Sequence, residues 1–145
     1  MTTAVDIFAE FAISETKAQD GVWVPYKDGI EFLIAKSGNK KFRRMAAALM
    51  SKNKRVLDQK DGDGVSTEAA EAKLNDIMVE IMSKTVLLGW KGNLQFQGKA
   101  LEYSEENARK LLKLEGFRNL VSDMAADEAA FKEIQEAEEA KNSEK

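Results

Sequence analysis

Hydrophobic and polar positions recur with two different periods along this chain, and the switches between them mark out its elements. The clearest period-two stretch is residues 21–36, where VWVPYK and IEFLIAK flank Asp28-Gly29. Two residues that tolerate positive φ between two apolar runs predict a β-hairpin. With those two forming the whole turn, Lys27 faces Ile30 and Trp23 faces Ile34. Trp23, Pro25, Ile30, Phe32 and Ile34 then share one face, and Val24, Tyr26 and Leu33 take the other. Pro25 cannot donate to a ladder, so its strand is expected at an edge. A lone hairpin is marginal in water, which requires its Trp/Phe/Ile face to lie against helices.

The 3.6-residue period governs most of the rest. Residues 4–13 fit both periods, and their Ala and Glu content favours a short helix. After Ser37-Gly38-Asn39, a basic helix is predicted over 40–53 with Phe42, Met45, Ala46, Leu49 and Met50 as its apolar stripe. A short element near Val56 and Leu57 gives way to a turn-forming loop at 61–64. The longest helix is predicted over 66–88, capped by Ser66, with Glu68 in its first turn and Gly89 ending it. Leu74, Ile77, Met78, Ile81, Met82 and Leu88 give it a broad apolar face. Residues 90–103 alternate around Gly98 as extended chain or a loose hairpin. Ser104 caps a helix over 105–114 that buries Ala108, Leu111 and Leu112. The next, over 116–125, uses Phe117, Leu120, Val121 and Met124. Asp127 caps a last helix carrying Phe131 and Ile134. From Glu136 the chain reads EAEEAKNSEK, with no large apolar residue to pack. These readings predict one α+β domain over 1–136, mostly helical, with one N-terminal β-hairpin, followed by a disordered, flexible charged tail over 137–145.

Composition narrows the chemistry. With 43% apolar residues in 145, a core can form without metal or disulfide support. The chain has no cysteine and no histidine. Disulfides, thiolate zinc sites, cysteine nucleophiles, the usual general base and the near-neutral pH switch are therefore all missing, and a non-catalytic role is expected. No apolar run reaches the length of a membrane span, and MTTAVDIFAEF lacks the basic start of a secretory signal. Net charge is −3, unevenly spread. Residues 36–60 hold nine basic side chains against one acid, a local +8, which leaves −11 for the remainder. From Asp123 onward eight acids face three lysines. Such asymmetry marks a nucleic-acid surface or a dipolar protein that associates electrostatically.

Several motifs have competing readings. DQKDGDGVSTEAAE suggests a calcium loop, but with Gly64 at position 6 the frame puts neutral Gln59 at position 1 and Ala70 where the bidentate glutamate belongs. A solvated turn explains it better, and no metal or cofactor is expected. The basic segment 36–60 could neutralise phosphates in a salt-dependent way. Its neighbouring aromatics, Phe32 and Phe42, fall on core faces and the protein as a whole is acidic, so nucleic acid is the lesser reading. Trp23, Met78, Met82, Trp90, Phe96, Tyr103, Phe117 and Phe131 are candidate partner-binding residues, because large aromatics and methionines supply most interface anchors. The same residue types fill cores, and that plainer explanation stands beside each of them.

The order of residues also carries a resemblance. Gly21-Val22-Trp23, the Asp28-Gly29 turn, Phe32-Leu33-Ile34-Ala35 and Asn39 followed by Phe42 lead into Leu88-Gly89-Trp90. Gly98 with Leu101, Tyr103-Ser104-Glu105-Glu106-Asn107-Ala108, Leu111-Leu112, Phe117, Ala126 and Phe131 complete the series. In order and spacing this resembles the tail assembly chaperones of long non-contractile-tailed bacteriophages, in their short, non-frameshifted form. Gly116 departs from the proline or acid expected at the second position of Glu115-Gly116-Phe117, which leaves the start of that helix open. The resemblance implies a protein of the host cytoplasm, absent from the finished virion. It would bind the tape measure protein, keep it soluble and help recruit tail tube subunits, with self-association as a further expectation. A nucleic-acid binder using segment 36–60, and a minor tail or connector component, are the rival expectations.

Overall fold

A computed structural model of the protein describes residues 3–143, and eight helices and five short strands lie among them. Asp6 caps α1 (Ile7–Phe11) by accepting from the Phe8 and Ala9 amides. A second short helix, α2 (Glu15–Asp20), was not foreseen from the sequence, although Ser14 caps it in the ordinary way, accepting from the Lys17 amide. Gly21 ends it at φ 84°, and a side chain there would meet the Ile34 carbonyl oxygen at 2.9 Å, so glycine is required.

The hairpin is present as β1 (Val22–Pro25) and β2 (Glu31–Ile34), and both turn residues take positive φ, 54° at Asp28 and 79° at Gly29. Its register differs from the expected one by a single residue. The Tyr26 amide donates to the Ile30 carbonyl, while the Ile30 amide donates to Lys27, so two residues oppose one and the strand bulges beside the turn. Trp23 therefore pairs with Leu33, and Val22 with Ile34. A one-residue slip exchanges the faces. Val22, Phe32 and Ile34 face the core at 0% exposure, and Trp23, Pro25 and Leu33 turn to the other side, the reverse of the expectation for Trp23.

The sheet has a third strand. The long helix α5 (Glu68–Thr85) starts at a Thr67 cap, not at Ser66, and stops three residues short of the expected Leu88. β3 (Leu87–Lys91) follows at once and pairs antiparallel with β2, giving the order β1-β2-β3. Gly89 is thus a strand residue opposite Leu33 and not a helix stop. Leu87 and Leu88 satisfy either period. The pull of a waiting strand edge, with Trp90 set opposite Phe32, decides between them. A small hairpin, β4 (Gln95–Phe96) and β5 (Lys99–Ala100), occupies the alternating passage around Gly98.

α6 (Glu105–Leu112), capped by Ser104, and α7 (Glu115–Ala126) cover the inner face of the sheet together with the C-terminal half of α5. Their shared core joins Phe32, Ile34, Val79, Met82, Leu87, Trp90, Leu111, Leu112 and Val121. α3 (Lys40–Lys52) and α4 (Lys54–Leu57) pack instead on α5, and neither contains a buried residue. Asn39 fastens α3 to this body: its side-chain amide donates to the Lys36 and Thr85 carbonyls at 2.8 and 3.0 Å, and its oxygen accepts from the Phe42 amide.

The last element overturns the expectation of a disordered tail over 137–145. α8 runs unbroken over Glu128–Ser143, and only residues 144–145 of that expectation fall outside the described chain. The helix has no large apolar residue after Ile134, and polar side chains hold it instead. Gln135 accepts from the Ser14 amide at 3.2 Å, Glu138 accepts from the Trp23 amide at 3.1 Å, and Lys132 donates to the Ala12 carbonyl at 3.2 Å. Alanine, glutamate and lysine are also strong helix formers, which supports the last turns. Glu138 and Pro25 together finish the β1 rim of the sheet: one amide on that side is bonded, and the other does not exist.

Candidate functional site

Turning Trp23 outward creates the most developed recess on the sheet side of the molecule. The indole lies across the outer face of the sheet, its tip 3.7 Å from where a side chain at Gly89 would begin. A larger residue at 89 would compete with the ring for that space. Lys91 reaches over the ring, with Nζ 4.3 Å from its centroid, and is held there by Glu31 at 3.3 Å. α8 forms the opposite wall. Between them runs a groove of about 600 Å³ with Trp23, Leu33 and Ile134 as its apolar floor and Lys17, Glu138 and Lys141 on its rim. Glu138 bonds the Trp23 amide and Lys17 Nζ at once, so the wall and the floor are positioned together.

The sequence missed the α8 half of this groove because 137–145 was read as tail. A signal was there: Ile134, Ala137, Glu138 and Lys141 follow helical i, i+3, i+4, i+7 spacing. Trp23 was singled out by residue type and expected on the opposite face.

The other candidate residues are dispersed. Met82, Trp90 and Phe131 are at most 8% exposed and belong to the interior. Trp90 donates from Nε1 to the Leu101 carbonyl at 2.9 Å and meets Tyr103 edge-on at 5.1 Å, so it locks the β4–β5 passage to the sheet. Phe117 packs edge-on to Phe32 at 5.5 Å, and Met78 lies half-buried against the same core. Phe96 is half-buried under Lys110. Tyr103 alone of these stands well into solvent. Partial burial, then the nearby Glu105 carboxylate, push its phenol above the usual tyrosine range.

Two further surfaces combine apolar and charged side chains. One lies between α3 and α5, where Met45, Ala48 and Leu49 line a shallow groove of about 520 Å³ beside Lys41, Arg44 and Lys84. The other lies between α1 and α8, where Phe11, Ile13 and Ala129 sit among Glu10, Glu128 and Glu133. At 61–64, Asp61 spends its carboxylate on the turn itself, accepting from the Asp63 and Val65 amides. Among the described residues, no three His, Cys, Asp or Glu side chains gather as metal ligands, and no helix is long and apolar enough to cross a membrane.

This is a small α+β protein, helices stacked on a three-stranded antiparallel sheet, with its recesses formed between elements. Residues 37–142 match the family model described as YdaY prophage protein, and the chain belongs to that family. It is phage in origin. The match begins before α3 and stops one residue short of the end of α8, and it leaves α1, α2 and the β1–β2 hairpin outside. No curated protein and no solved structure gives a significant match.

Proposed function

We propose that this prophage protein is a tail assembly chaperone that acts without catalysis. It binds a helical stripe of the tape measure protein, keeps that long chain soluble and helps bring tail tube subunits to it. The work takes place in the host cytoplasm, and the protein leaves before the virion is complete. Membership of a prophage family supports the setting, and the residue series that ends in Phe131 supports the role.

The observation that carries the reading is the groove between α8 and the outer sheet face. An apolar floor at Trp23 and Leu33, with a rim of both charge signs, suits an amphipathic helix: apolar side chains enter and flanking charges find partners on either wall. Covering such a stripe reversibly prevents aggregation of a chain that is still bare. Co-expression with the cognate tape measure protein tests the proposal. The tape measure should become soluble and co-purify, and Trp23→Ala should weaken that complex by at least about tenfold. An equally insoluble tape measure would defeat the reading, and recovery of the chain from purified virions would favour a minor tail component instead.

A further inference from the structure

The α3–α5 groove and the α1–α8 face are opposites in charge and alike in apolar content. On α1, Ile7, Phe8 and Phe11 are 61%, 79% and 60% exposed, an unusual cost for a helix of five residues with nothing buried. Glu10 and Glu133 stand beside them and form no ion pair among the described residues. On α3, Met45, Ala48 and Leu49 are only partly covered, and Lys41 and Arg44 beside them likewise have no ion-pair partner among the described residues. Within one molecule α3 packs on α4 and α5 while α1 packs on α8, so each surface leaves part of its apolar area to solvent.

We infer that the α1–α8 face of one copy docks into the α3–α5 groove of a second copy. Phe8 and Phe11 enter between Met45 and Leu49, and Glu10 and Glu133 meet Lys41 and Arg44. Two acidic faces would repel each other, as would two basic ones, so the pairing is head-to-tail. Such an interface is not self-complementary: every added copy presents one unused surface of each kind, and assembly continues until a ring closes or an open chain forms. The Trp23 groove uses a different face of α8, bounded by Ile134, Ala137 and Glu138, and stays free for the partner proposed above.

Sedimentation velocity of the full chain tests this. At low salt and concentrations on the order of 100 μM, the wild type should form a ladder of oligomers that collapses toward monomer when ionic strength is raised, because opposed rim charges are screened. Phe8→Ala/Phe11→Ala and Lys41→Glu/Arg44→Glu change only partly or fully exposed side chains, and circular dichroism should confirm that both fold. Each variant alone should be monomeric. An equimolar mixture retains one intact surface of each kind and should yield dimers and nothing larger. A wild type that stays monomeric, a mixture that fails to pair, or a Lys41→Glu/Arg44→Glu variant that still assembles would overturn the inference. So would tight, salt-sensitive duplex DNA binding lost in that variant while assembly persists, since α3 would then be a phosphate surface. Trp23→Ala should leave the ladder intact, which separates this result from the fate of the tape measure reading.

Discussion

The body around the sheet and the arm formed by α3 and α4 obey different economies of burial. In the body, Phe32, Ile34, Leu87, Leu112 and Val121 are all at 0% exposure, and facing side chains come from four elements distant in sequence. In the arm no residue of either helix is buried, and the helices lean on α5 through half-covered Phe42, Met45 and Leu49. Stability in the first is a property of the whole fold. In the second it is local, set by helix propensity, by the Asn39 joint and by whatever else comes to rest on the surface. A region held so loosely and left so apolar is suited to meeting partners.

The contrast is sharpest in truncations of comparable size. Phe32→Ala should cost about 3–5 kcal/mol by denaturant titration, because it leaves a cavity beneath the sheet. Leu49→Ala should cost less, about 1 kcal/mol, since its side chain is only partly buried and its removal leaves no closed cavity. Comparable losses at the two sites would dissolve the distinction. Asn39→Ala should fall between them, at about 1–3 kcal/mol, as it strands two carbonyls and uncaps α3. Hydrogen exchange in that variant should speed up in the α3 amides well before those of residues 79–86. Uniform acceleration would mean that arm and body open as one.

Removing residues 137–145 should lower stability by roughly 1–2 kcal/mol through loss of the Glu138 bonds to Trp23 and Lys17. No change would return that segment to the status of a tail. The smallest effect is expected at Tyr103. Its raised phenol favours the folded state fully below the unfolded tyrosine value of about 10, and this contribution fades as pH climbs through the higher folded value. Absorbance at alkaline pH should show one late-titrating phenol that Tyr103→Phe removes.

Much of this architecture was readable from the residues wherever local chemistry decides. Asp28-Gly29, Ser104 and the α6 stripe all act over a few positions, and each performs as its type suggests. What escaped was decided at a distance. The bulge at Tyr26 moved Trp23 from one face to the other without changing a single local preference. β3 is a strand because β2 is beside it, while its own sequence suits a helix end equally well. α8 continues because polar side chains find backbone groups more than a hundred positions earlier, which no search for large apolar residues detects. The candidate groove inherits both errors, since it needs Trp23 outward and α8 complete.

The finished rim of β1 has a consequence for the protein at high concentration. A molecule that leaves phenylalanines in water invites misassembly, and a bare strand would turn that stickiness into a template for fibres. Here an incoming strand meets a proline and an amide already taken by Glu138, so crowding should drive these molecules together through helices, reversibly, and not through an endlessly growing sheet.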